Sequence, residues 1–117
     1  MPDQGTFAEY ICVPAEDALA KPAHLNFAQA AAIPLAGLTS WRTLVTHGEL
    51  NAGQRVLVTG IGGGVATFAM IWAQAHGAEV WVTSGSEDKL ARALELGAKG
   101  GISYRHYQSQ YQIHQPF

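Results

Sequence analysis

Apolar positions change their spacing along the chain, and each spacing predicts a different element. Residues 7–14, Phe-Ala-Glu-Tyr-Ile-Cys-Val-Pro, read as a short strand that Pro14 ends. Residues 15–26 hold Pro22 and read as loop. Asn26 with Gln29 three residues on marks a helix start, because each side chain can cap the other's backbone N–H. The Ala-rich run 27–33 is then helical until Pro34, which lacks the N–H a helix interior needs. A second helix, about residues 37–47, aligns Leu38, Trp41, Leu44 and Val45 on one face. Asn51-Ala52-Gly53 is a turn.

From residue 55 the pattern alternates. Residues 55–59 form a continuous apolar strand of the kind buried on both faces of a parallel sheet. Residues 60–64 are a glycine loop. Residues 65–76 read as a helix with Val65, Phe68, Ala69, Trp72 and Ala73 on one face, and Gly77 suits its C-terminal end. Residues 79–83 are a second strand. Ser86 begins a further helix, with Glu87 and Asp88 in the first turn, where the helix dipole favours anions. Leu90, Leu94 and Gly97 close it, and residues 101–104 start a third strand. Strand-helix-strand-helix-strand order implies an α/β fold: a parallel sheet with right-handed crossovers, here with a helical lead-in. Residues 104–117 are rich in Gln, Tyr and His and show neither period, so they read as a mobile tail.

Composition narrows the function classes. The 117 residues carry seven Lys and Arg against nine Asp and Glu, with 48% hydrophobic and 14% charged residues. That balance is too apolar for a disordered chain and too poor in cations for a nucleic-acid-binding domain. Cys12 is the single cysteine, which excludes a disulfide scaffold and leans towards a reducing, cytoplasmic setting. Met1-Pro2-Asp3-Gln4-Gly5 has neither the basic nor the apolar region of a signal peptide. Residues 56–78 lack Asp, Glu, Lys and Arg over a length that spans a bilayer, but the consecutive Gly62, Gly63 and Gly64 are a poor helix interior, so no membrane is expected.

The loop Thr59-Gly60-Ile61-Gly62-Gly63-Gly64-Val65-Ala66 sits between a strand and a helix, where backbone N–H groups and the helix dipole make a phosphate site. A glycine turn without a ligand is the bland alternative. Val65-Ala66 stand where an ATP P-loop has its Lys and Ser or Thr. Gly60, Gly62 and Gly64 fit an adenosylmethionine loop, yet neither strand supplies its acidic residue. A dinucleotide site expects a ribose-reading group about 20 residues on. The second strand runs into Thr83-Ser84-Gly85-Ser86 with no carboxylate at its tip. Ser84, Ser86 and Lys89 suit a 2′-phosphate, so the chemistry leans to NADP(H) over NAD(H).

Three segments together carry a family resemblance: the run 56–66; Gly77-Ala-Glu-Val-Trp-Val-Thr-Ser; and Lys89-Leu with Leu96-Gly-Ala. Upstream, Gly5-Thr-Phe-Ala-Glu-Tyr and Ala30-Ala-Ala-Ile-Pro-Leu-Ala-Gly-Leu-Thr-Ser-Trp fit the same pattern. Over residues 5–104 the chain resembles the medium-chain dehydrogenase/reductase superfamily, nearest its quinone-reductase and zinc-type alcohol-dehydrogenase-like members. The resemblance implies a partial Rossmann-type doubly wound sheet. It implies hydride transfer between NADP(H) or NAD(H) and a small-molecule carbonyl, alcohol, quinone or activated alkene. It assigns the pyrophosphate to Gly62, Gly63, Gly64, Val65 and Ala66, with Ala66 in place of the usual last Gly. Thr39 would lie near the nicotinamide, and Ser84, Lys89 and Tyr104 would contact the adenosine phosphate. Leu35 stands where zinc-dependent members place a ligand, and His24, His47, His76, His106 and His114 have no ligand spacing, so no zinc is expected.

The resemblance also implies an organisation. Residues 1–26 are the end of a catalytic, GroES-like domain, 27–104 part of a dinucleotide-binding domain, and 105–117 an irregular tail that departs from the family pattern. The expectation is a truncated copy, with no residue placed as general acid. A nucleotide-binding or interaction module without activity, self-associating through an exposed sheet edge, is the rival reading. An adenosylmethionine-binding domain is the third.

Overall fold

The computed structural model describes residues 5–105; the tail beyond Arg105 lies outside them. The chain divides into two compact units at Ala31/Ala32. In the first unit a single 3-10 turn spans Ala15–Asp17, and helix α1 spans Phe27–Ala31. The Asn26 N–H donates to Gln29 Oε1 at 3.0 Å and the Gln29 N–H to Asn26 Oδ1 at 2.8 Å, the reciprocal cap expected from the sequence. The expected strand over 7–14 does not form. Phe7, Tyr10, Ile11 and Val13 stay exposed, because apolar alternation makes a strand only beside a partner and the described residues of this unit offer none. Cys12 is exposed for the same reason.

In the second unit, α2 spans Ile33–Trp41 and continues as a wider, π-type turn over Arg42–His47. Pro34 was expected to break a helix; instead it sits in the first turn of α2, where no intrahelical N–H is needed. Thr39, Ser40 and Thr43 donate their hydroxyls to the carbonyls of Leu35, Ala36 and Thr39, one turn back. Such back-bonding competes with the backbone ladder and deforms helices, which accounts for the widened turn where one regular helix was expected.

Then come β1 (Arg55–Val58), α3 (Gly64–Ala75), β2 (Glu79–Ser84), α4 (Glu87–Glu95) and β3 (Gly100–Ser103). The three strands are parallel in the order β1-β2-β3, with Val58 opposite Val82 and Ser84 opposite Ser103. This is the α/β architecture the alternation predicts. Both crossovers step in one direction, so right-handedness places α3 and α4 on one face of the sheet. That face holds the core: Val58, Val80 and Val82 pack with Met70 and Ala73 of α3 and Leu90 and Ala93 of α4. Burying each of Met70, Val80 and Val82 stabilises the fold by about 1.5–3 kcal/mol.

The opposite face is open. Leu57 is 56% exposed, Trp81 38% and Ile102 44%. The expectation that β1 is buried on both faces is therefore corrected: its alternate residues Arg55 and Leu57 are exposed, with no layer over them among the described residues. The apolar stripe of α3 also resolves into two. Ala66, Ala69, Met70 and Ala73 turn to the sheet, whereas Phe68 and Trp72 turn to α2, where Trp72 Nε1 donates to the Gly37 carbonyl at 3.1 Å. Trp41 meets Trp72 edge to face, and Val65 stays exposed. No helix among the described residues is long and apolar enough to cross a membrane.

Candidate functional site

The glycine loop leaves the end of β1 and enters α3. Gly60 and Gly62 adopt φ +67° and +113°, a region that side chains with a Cβ rarely occupy. These two glycines lift the loop clear of the sheet while Ile61, between them, tucks its side chain into the core. Gly63 caps α3 with extended backbone and makes no side-chain cap bond. The first N–H groups of α3 thus lack a side-chain acceptor, the arrangement that accepts an anion.

Gly64 has a separate reason. A Cβ there would lie 3.3 Å from Ala36 Cβ, because α2 crosses close to the start of α3. Ser40 locks that crossing. Its buried hydroxyl lies 2.7 Å from the carbonyls of both Ala36 and Val65 and shares its one proton between them.

Two clefts flank the loop. The larger, about 500 Å³, lies between α2, the free edge of β1 and the start of α3, with Gly63, Gly64, Val65 and Ala66 on one wall. Its walls are mostly apolar, and the hydroxyl-bearing residues lining it are Ser40, Thr43 and Thr59. The smaller, about 180 Å³, is lined by Gly62, Thr67, Lys89 and Arg92 among others. Lys89 reaches across from α4 and lays its side chain over Gly62. A Cβ on Gly62 would sit 2.7 Å from Lys89 Cδ and 3.3 Å from its ammonium nitrogen. Arg92, one turn on, pairs with Glu95 at 2.8 Å, so part of its charge is neutralised.

Most residues expected at the site are brought to the C-terminal ends of the strands. Gly62, Gly63, Gly64, Val65 and Ala66 form the loop and first turn, and Lys89 joins them. Tyr104 follows β3 and lays its half-exposed ring on Gly85; a Cβ there would meet the ring at 2.7 Å. Ser84 is placed otherwise. It is 3% exposed, and its hydroxyl oxygen accepts from the Ser86 N–H at 3.1 Å, bracing the turn into α4. Thr39 is exposed on α2 and turns its hydroxyl back to the Leu35 carbonyl.

Sequence reasoning named Thr59 only as the start of the glycine loop and Ser40 only within the lead-in run, and passed over Thr43 and Arg92. Arg92 was within reach, three residues after Lys89 on one helix face. Ser40 and Thr43 acquire their place only when α2 docks on α3. Among the described residues, no three His, Cys, Asp or Glu side chains come together to hold a metal.

No protein-family model matches the chain. Individual proteins do. The zinc-type alcohol dehydrogenase-like protein YogA of Leptosphaeria maculans is 44% identical over 104 residues, covering 88% of this chain and 29% of that protein. A crystal structure of an NAD-dependent alcohol dehydrogenase superposes with a TM-score of 0.83 at 45% identity, covering 87% of this chain and 30% of the other. The quinone oxidoreductase of Thermus thermophilus, solved alone and with NADPH, gives a TM-score of 0.81 at 32% identity, covering 92% and 36%. The chain spans about a third or less of the length of each of these proteins.

Proposed function

We propose that the chain, by its similarity to alcohol dehydrogenase-like proteins and quinone oxidoreductases, is part of a medium-chain dehydrogenase/reductase and carries the adenosine-phosphate side of a nicotinamide dinucleotide site in an NADP(H)-dependent oxidoreductase. The observation that carries this reading is Lys89 laid over Gly62, a cation held at the glycine loop from the next helix. Backbone N–H groups of Gly62, Gly63, Gly64 and Val65 hold the pyrophosphate against the positive end of α3. Ala66, small and packed against the core, lets α3 lie close on β1. Lys89 and Tyr104 take the 2′-phosphate. The end of β2 offers no carboxylate for a free 2′-hydroxyl, and Ser84 is already engaged with Ser86. These features favour NADP(H) over NAD(H).

When bound, the dinucleotide would give a hydride to a carbonyl, quinone or activated alkene, or in its oxidised form take one from an alcohol. The part of this chain is to bind and orient. Thr39, on the helix that walls the larger cleft, is assigned to the nicotinamide end. No zinc enters the reading: Leu35 has no donor atom at the position a ligand would hold. The substrate is a small molecule.

Thermal unfolding of the chain with NADPH and with NADH at matched concentrations tests this. At 100 times its dissociation constant a ligand stabilises the folded state by about 2.7 kcal/mol. The expected result is a clear rise in Tm with NADPH and a smaller one with NADH; equal shifts, or none, refute the assignment. The open sheet face with Leu57, Trp81 and Ile102 favours a second reading, a nucleotide-binding module that self-associates through that side. NADPH consumption with a simple quinone separates the two. Turnover supports the oxidoreductase, and tight binding without turnover supports the module.

A further inference from the structure

Thr83 holds the glycine loop from the end of β2 by two different bonds. Its backbone carbonyl accepts from the Ile61 N–H at 2.9 Å. Its side-chain Oγ1 accepts from the Gly60 N–H at 3.2 Å. The first bond continues the parallel ladder beyond the Val58–Val82 pair, and any residue at position 83 provides it. The second needs a hydroxyl on the β-carbon. Gly60 is where the chain leaves the strand, with φ +67°, and its N–H is met by this side chain. Thr83 lies beside Ile102 in the register, on the same open face of the sheet as Trp81, and is half-buried.

We propose that Thr83 is a positioning residue for dinucleotide binding: its hydroxyl fixes the conformation of Gly60 and so aims the N–H groups that follow it at the pyrophosphate. The proposal rests on the dinucleotide reading of the loop. It separates two roles within the site. Thr83 sets the loop that any pyrophosphate meets, so its loss weakens NADPH and NADH alike. Lys89 meets the 2′-phosphate alone, so its loss weakens NADPH selectively. Thr83→Val keeps the branched shape and the β preference of the position and removes the acceptor. Thr83→Ser keeps the acceptor.

The experiment uses the full chain, labelled with nitrogen-15, as wild type, Thr83→Val and Thr83→Ser. Amide hydrogen exchange is followed at Gly60 and at the core residues Val80 and Val82, and each protein is titrated with NADPH and NADH. For Thr83→Val, the expected result is faster exchange at Gly60, unchanged exchange at Val80 and Val82, and about tenfold weaker binding of both dinucleotides in equal proportion, the size of one lost hydrogen bond. Thr83→Ser restores both the slow exchange at Gly60 and the affinity. Unchanged Gly60 exchange and affinity in Thr83→Val overturn the proposal, as does a loss confined to NADPH or one that Thr83→Ser fails to restore. A wild-type chain that binds neither dinucleotide overturns the site reading, and this role with it; wild-type binding that Thr83→Val leaves unchanged overturns the role alone. Thr83→Ala, also without the acceptor, is judged by the same outcomes if the valine variant does not fold.

Discussion

Gly62→Ala is the substitution that bears most directly on the site. Two costs arise at this position, and the structure separates them. The first is local. Gly62 sits at φ +113°, and holding an alanine in such a conformation costs about 1–3 kcal/mol. The second is the neighbour. The new methyl would lie 2.7 Å from Lys89 Cδ and 3.1 Å from Cε. Lys89 ends in a flexible chain, so it swings aside at little cost in stability, but its ammonium then leaves the loop. Gly62→Ala is thus expected to lower stability by about 1–3 kcal/mol in urea unfolding, and separately to lower the NADPH/NADH affinity ratio. A double-mutant cycle isolates the second effect. In a Lys89→Ala background there is no ammonium to displace, so adding Gly62→Ala should cost the same stability and leave the affinity ratio where Lys89→Ala alone puts it. An alanine tolerated within about 0.5 kcal/mol, the ordinary range for surface changes, would refute the strain argument. A further fall in the ratio in the Lys89→Ala background would refute the displacement argument.

Lys89→Ala alone should weaken NADPH about 10- to 100-fold and leave NADH nearly unchanged, the range of a hydrogen bond to a charged group, and calorimetric titration reads it. The effect should shrink as salt rises, because Lys89 is exposed and screened. Val82→Ala, at a fully buried position on the covered sheet face, should cost about 2–3 kcal/mol in urea unfolding; a cost under about 1 kcal/mol would mean that the α3–α4 layer does not pack as described. Gly100→Ala places a methyl against Trp81 Cζ3, so the indole must move; its N–H resonance should shift, with a stability loss of about 1–3 kcal/mol.

The elements legible in the sequence were those held by local rules. Alternation from residue 55 onward predicted three parallel strands and two helices, because apolar period and glycine position are local properties. The Asn26–Gln29 cap was legible because it closes within one turn. The failures have a common cause. The apolar run 7–14 contains a strand's residues but not the neighbour that makes them a strand. Pro34 reads as a breaker if the helix before it is assumed to continue, and as a helix start once α2 is seen. Val65, Phe68 and Trp72 read as one face of α3 with Ala69 and Ala73, because periodicity reports that a face is apolar and not what it meets.

The same division runs through the site. Chain order and glycine spacing alone determined that a glycine loop stands between a strand and a helix, and that a cation and an aromatic follow the ends of the next two strands. Tertiary structure decided which of those groups face the loop. Lys89 lies over Gly62 because right-handed crossovers bring α4 beside α3 on one face of the sheet. Ser84 turns inward because alternation along β2 puts it on the buried face with Val80 and Val82. Thr83, one residue earlier, points to the other face and meets Gly60, 23 residues back in the chain. Contacts of that separation come from strand register and helix packing, which depend on the whole sheet, and local pattern does not encode them.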